Sequence, residues 1–167
     1  GVSISEGDIK KYSLRLQHKI IFCGGNLISK PSIDGVSISD FSEFETLNND
    51  SISGLNSSLA KKGFTIKVAK NTVVENPIEI LFFTSTKQDN FVQYRNNIDV
   101  GENSQIKFVE RIQNLSDSKC FVNHFTQINI GKNAKVEYNK IQDNNENAIL
   151  IDNMNLYQQQ DSSVIVN

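Results

Sequence analysis

The chain has 167 residues, 38% of them hydrophobic and 22% charged, with a net charge of −2. That length supports one domain with a real core. The scattered, interleaved Lys and Arg argue against the basic stripe that a nucleic-acid partner needs. No apolar run approaches the about 18–20 residues of a membrane span, and the opening GVSISEGDIKK lacks a basic segment followed by an apolar block, so no signal peptide is expected.

The first sixty residues read as a mixed α/β lead-in. Asp8–Leu16 is weakly helical. Lys19–Cys23 and Asn26–Ser29 flank Gly24-Gly25, a two-residue hairpin signal. Gly35–Ser39 is a short strand, and Asp40 is placed to cap a helix from Phe41 to Leu47. Ile52, Leu55 and Leu59 line one face of a further helix that Gly63 stops. Residues 1–62 are therefore expected to form a cap, because an open sheet end needs covering.

From residue 63 onward the sequence repeats. GENSQIKFVERIQ at 101–113 returns as GKNAKVEYNKIQ at 131–142. An earlier copy is FTIKVAKNTVV at 64–74, and a degraded one is LYQQQDSSVIV at 156–166. Asn71, Asn103, Asn133 and Asp161 align, at spacings of 32, 30 and 28 residues. Ile66, Ile98, Ile128 and Leu156 then share a register, as do Val74, Ile106, Val136 and Val164. Asn tolerates left-handed backbone angles, which suits a corner in each unit. Further strand-like runs lie between the copies, at Ile78–Phe83, Cys120–Phe125 and Ala148–Met154. Two strands and two turns recurring about every thirty residues indicate a solenoid. A β-helix is favoured over an antiparallel sandwich, since no Asn-Gly or Asp-Gly hairpin signal follows residue 63. Residues 63–167 are expected to form this β-helix core, as part of a longer chain.

Catalytic signatures are missing: there is no GxSxG, P-loop, HExxH or GxGxxG. Cys23 and Cys120 are too far apart for a CxxC pair, which fits a reducing compartment. Strand periodicity puts Cys120, Val122 and His124 on one face. A Cys–His pair there has metal or thiolate chemistry available, but two ligands do not make a zinc site, so a buried Cys and a hydrogen-bonded His are expected. Glu110-Arg111, Lys135, Glu137 and Lys140 read as a solvated charge ladder. Asp99, Glu110 and Arg111 are the candidates for a polysaccharide-cleaving groove, although no spacing clusters them.

LNSSLAKKGFTIKVAKNTVVENPIEILFF (55–83), RNNIDVGENSQIKFVER (95–111) and NAKVEYNKIQDNNENAILIDN (133–153) resemble the SufD family. The resemblance runs from about Asp8 to the end and rests on the order and spacing of these marks. It implies a right-handed parallel β-helix and a non-catalytic, cytoplasmic scaffold of the SUF iron–sulfur cluster assembly system. It also implies a SufB-like paralogue and a SufC-like ATPase as partners. SufB-like chains carry a Cys shortly after the Glu of the strand written here as IKFVE, whereas this chain reads Glu110-Arg111-Ile112-Gln113-Asn114.

Full family members continue into further coils and a C-terminal helical region that docks the ATPase. The Cys and His positions tied to cluster building belong to those coils, so neither Cys120 nor His124 inherits that role. No catalytic, cofactor-binding or metal residue is assigned on this basis, and no cofactor is expected in this stretch. The cluster is built by the complex of the full-length protein. Homodimers through exposed strand edges near Ser162–Val166 are expected as well. The alternative is a carbohydrate-binding or carbohydrate-cleaving β-helix, which would want a signal peptide and an aromatic-rich groove; Trp is absent and aromatics make up 8%.

Overall fold

Four corners of the chain take left-handed backbone angles at non-glycine residues: Asn71, Asn103, Asn133 and Asp161, with φ of 59°, 57°, 62° and 58°. These are the aligned positions of the repeat. The computed structural model describes residues 4–40, 62–84, 90–115, 119–142 and 148–167. The helices expected over Phe41–Leu47 and Ile52–Leu59 lie outside the described residues.

The elements in order are helix α1 (Glu6–Tyr12) and strands β1 (His18–Cys23), β2 (Asn26–Ser29), β3 (Val36–Asp40), β4 (Phe64–Val68), β5 (Ile78–Thr84), β6 (Asn90–Val100), β7 (Gln105–Asn114), β8 (Cys120–Ile130), β9 (Lys135–Gln142), β10 (Ala148–Gln158) and β11 (Ser163–Val166). They form two sheets, ordered β11-β9-β7-β5-β1-β2 and β10-β8-β6-β4-β3. From β4 onward the chain alternates between the sheets, one strand in each per repeat. Within each sheet, successive repeats pair in parallel: Ile66 opposite Ile98, Ile98 opposite Ile128, and Ile128 opposite Leu156. The sequence period is thus the spatial pairing period. The chain is mainly β with parallel sheets, and the antiparallel meander is excluded for the repeats. Among the described residues, antiparallel strand pairing occurs between β1 and β2 and between β3 and β4, with one isolated antiparallel bridge at Ile33 and Val36.

The hairpin at Gly24-Gly25 forms as the sequence indicates, both glycines holding positive φ, 56° and 81°. β1 does not stay within the lead-in, because it pairs in parallel with β5, Ile20 opposite Ile80 and Phe22 opposite Phe82. The runs at Cys120–Phe125 and Ile128–Ile130 join into the single strand β8, as do their counterparts in β6 and β10.

Side chains alternate across each strand. The inward set fills the space between the sheets: Ile20, Phe22, Ile66, Ile80, Phe82, Ile98, Phe108 and Ile128 are all at most 1% exposed. Phe22 stacks on Phe82 at 4.9 Å and on Phe64 at 5.2 Å between ring centroids. Burying such a side chain contributes about 1.5–3 kcal/mol.

Helix α1 is shorter than the expected Asp8–Leu16. Ser5 caps it by accepting from the Asp8 N–H at 3.1 Å, and Ser13 ends it in extended backbone. Ile9 and Tyr12 cover Ile21, Cys23, Leu81 and Phe83 on the outer face of the first sheet. Cys23 is there a small core residue, as expected. Buried Glu79 accepts from the Ser13 hydroxyl at 2.8 Å and from the Leu14 N–H, and Arg111 donates to the Tyr12 carbonyl at 2.8 Å.

Candidate functional site

The inward columns change character along the stack. In the first sheet, one column runs Ile20, Ile80, Glu110, Lys140. In the second, one runs Tyr94, His124, Asp152. The early repeats put apolar or aromatic side chains at these places, and the later repeats put charges there. The two columns face each other across the core, so four ionisable groups meet inside the molecule.

Their geometry is specific. Lys140 Nζ lies 2.6 Å from Asp152 Oδ2 and 3.4 Å from Glu110 Oε1. On the other side of the two carboxylates sits the imidazole. His124 Nδ1 is 3.3 Å from Asp152 Oδ1, and its Nε2 is 4.0 Å from Glu110 Oε2. The Tyr138 hydroxyl donates to Glu110 Oε2 at 2.6 Å. Glu110 and His124 are fully enclosed, while the side chains of Asp152 and Lys140 remain 11% and 15% exposed.

Asn96 sets the state of the imidazole. Its Oδ1 accepts from the Phe64 backbone N–H at 3.3 Å, which directs its Nδ2 toward His124 Nε2 at 2.8 Å and Thr126 Oγ1 at 3.3 Å. An amide N–H can only donate, so Nε2 accepts and Nδ1 carries the proton given to Asp152. The rings of Phe82 and Tyr94 wall the imidazole edge-on, at 5.0 and 6.1 Å between centroids.

Burial penalises the Asp152 carboxylate. The His124 hydrogen bond, the charge of a protonated His124 and the Lys140 ammonium together outweigh that penalty and lower its pKa from 3.8 to about 2. Tyr138 is driven well above its ordinary pKa by burial and by the charge of Glu110, so its hydroxyl stays a donor.

The sequence candidates are distributed differently from expectation. Glu110 and Lys140, read as part of a solvated ladder, point inward; they share the parity of Ile106 and Phe108, and of Val136 and Tyr138. Lys135 and Glu137 face solvent as expected, and Glu137 pairs with Lys107, 3.0 Å away on the outer face. Arg111 faces outward to α1. Asp99 lies on the outer face of the second sheet, where Asn129 donates to it at 2.6 Å. It borders a groove of about 510 Å³ together with Lys67, Asn129 and Tyr157. Asp99, Glu110 and Arg111 therefore form no common site. Cys120 is buried beside Val122 and Tyr94, as expected, and is not part of the ion cluster. Asp152, Tyr138 and Asn96 went unread in the sequence. The available signal was the repeat itself, which aligns Glu110 with Lys140 at an inward position.

A family model for the SUF system FeS cluster assembly SufBD core domain matches residues 82–167. The comparison with curated proteins returns no match. The matched span is more than half of the 167 residues and contains every member of the ion cluster. The chain therefore belongs to the SufBD core family of the SUF iron–sulfur cluster assembly system.

Proposed function

We propose that the chain is a SufD-type scaffold subunit, without catalysis of its own, which works with a SufB-like paralogue and a SufC-like ATPase to build iron–sulfur clusters in the cytoplasm. The observation that carries this is the SufBD core match over 82–167. The stretch Glu110-Arg111-Ile112-Gln113-Asn114 supports SufD over SufB, since SufB-like chains place a Cys there. In this reading the alternating strands wind as a right-handed parallel β-helix over 63–167, and residues 1–62 act as its cap. The iron–sulfur cluster is cargo of the complex rather than a resident cofactor of this stretch.

A scaffold needs a rigid body and pairing surfaces. β10 and β11 are the outermost strands of their sheets, and Leu156, Tyr157, Ile165 and Val166 there are 37–58% exposed. Outermost strands offer backbone donors and acceptors for pairing. These edges are places where further strands can pair.

The test is a tagged pull-down of the parent protein from its own cells with mass-spectrometric identification. Recovery of an ATP-binding-cassette-type ATPase and a β-helix paralogue supports the reading. Recovery of the bait alone, under conditions that retain other assemblies, overturns it.

A further inference from the structure

Two carboxylates face one ammonium, and Asn96 Nδ2 lies 2.8 Å from His124 Nε2. Glu110, 1% exposed, and fully buried His124 meet Asp152 at one place in the core. Buried polar groups of this kind need partners.

We propose that Glu110, His124 and Asp152 form a binding site for a divalent first-row transition cation, with the Lys140 ammonium as the occupant that the metal displaces. One ligand atom from each of the three residues can be chosen so that all lie within 4.8 Å of one another. The His124 Nδ1 to Asp152 Oδ1 distance of 3.3 Å matches the about 3.4 Å edge of a tetrahedron with about 2.1 Å bonds. Glu110 supplies the third ligand, a carboxylate oxygen within 4.8 Å of the ligand atoms of the other two residues. Two oxygens and one imidazole nitrogen, with no thiolate, suit Mn(II) through Zn(II) rather than a soft cation.

A divalent ion brings two positive charges to the place where the Lys140 ammonium, beside Glu110 and Asp152, brings one. Lys140 is the partly exposed member on the rim, so its long stem can carry the ammonium out to water. Metal on Nδ1 moves the ring proton to Nε2, and Asn96 must then turn its Oδ1 toward the ring and release the Phe64 N–H it now accepts. Asn96 is thus the group that orients the ligand from behind. The site stands on these residues alone and does not depend on the scaffold reading.

The test is Co(II) titrated into the purified chain and into Lys140→Met, followed by visible absorption and calorimetry. A one-to-one d–d band is expected, with affinity about tenfold or more higher in Lys140→Met. His124→Gln and Asp152→Asn are expected to lose the band. Imidazole nitrogen NMR with Zn(II) is expected to show the His124 proton moving from Nδ1 to Nε2. Absence of the band in wild type and Lys140→Met up to about 1 mM Co(II) overturns the proposal, as does a band that survives His124→Gln and Asp152→Asn. Far-UV circular dichroism checks the fold of each variant. Should Lys140→Met not fold, paramagnetic broadening of the wild-type His124 ring by Co(II) decides: broadening supports the site and its absence refutes it.

Discussion

Asn133 Nδ2 donates to Asn103 Oδ1 at 3.1 Å, and Asn103 repeats the act toward Asn71 at 3.0 Å. Each corner amide hands its N–H to the oxygen of the repeat before it. Position 161 breaks the chain of bonds, because the Asp161 side chain has no N–H to give to Asn133. Asp161→Asn is expected to extend the ladder and to stabilise the fold by a few tenths to about 1 kcal/mol, the worth of one exposed hydrogen bond. Asn103→Gly keeps the left-handed angle and loses the bonds, whereas Asn103→Ala loses both. The alanine variant is therefore expected to be less stable than the glycine variant by about 1 kcal/mol. Urea melts of the three variants rank them. Equal stability of the glycine and alanine variants would show that backbone angle contributes nothing there.

The corner glycines work by proximity rather than by φ. A Cβ on Gly101 would sit 2.7 Å from the Lys70 backbone N and 2.8 Å from the Val68 carbonyl, and one on Gly131 would sit 2.8 Å from Glu102 N. All of these are backbone atoms of the preceding repeat and cannot turn aside. Gly101→Ala is expected to cost about 2 kcal/mol or more through a forced separation of neighbouring repeats. Thermal unfolding measures it, and a loss under about 0.5 kcal/mol, the usual range of surface changes, would count against close packing at this corner.

The repeat was legible because every unit must solve the same two problems, a left-handed corner and an inward apolar pair. Ile98 and Ile128, or Ile106 and Val136, could be aligned without knowing the fold, and the pairing follows the alignment. The ion cluster was harder to read. Charge on a strand usually signals solvent, which favours an outward reading of Glu110 and Lys140 even though their parity with Phe108 and Tyr138 says otherwise. Asp152 lies outside the shared phrase, and it falls opposite His124 only when the alignment of Ile128 with Leu156 is carried four residues back. The lead-in misled in another way. A hairpin signal identifies β1 and β2, but nothing local tells that β1 will pair with β5, 60 residues later at His18 and Ile78.

Acid is expected to act through Asp152. Its carboxyl pKa falls from 3.8 in the unfolded chain to about 2 in the fold. A depressed pKa contributes stability that is fully present above about pH 4 and is lost as pH falls toward 2. The size is about 2 kcal/mol for the metal-free protein. Asp152→Asn removes this dependence, so its stability curve between pH 4 and pH 2 is expected to be flatter than that of the wild type by that amount. Parallel curves for the two proteins would show that another carboxylate governs acid sensitivity.

Lys140 tests whether the cluster acts as a unit. Lys140→Met removes the ammonium beside Glu110 and Asp152 and leaves two buried carboxylates near each other. Breaking such a network from one side costs about 3–5 kcal/mol. Removing a carboxylate charge as well relieves that repulsion, so the double variant Lys140→Met with Asp152→Asn is expected to recover part of the loss. The interaction energy from the full double-mutant cycle is expected to exceed about 1 kcal/mol, above the additivity limit of independent sites. Strict additivity would mean that the lysine and the aspartate, although 2.6 Å apart, are each stabilised by water and not by one another.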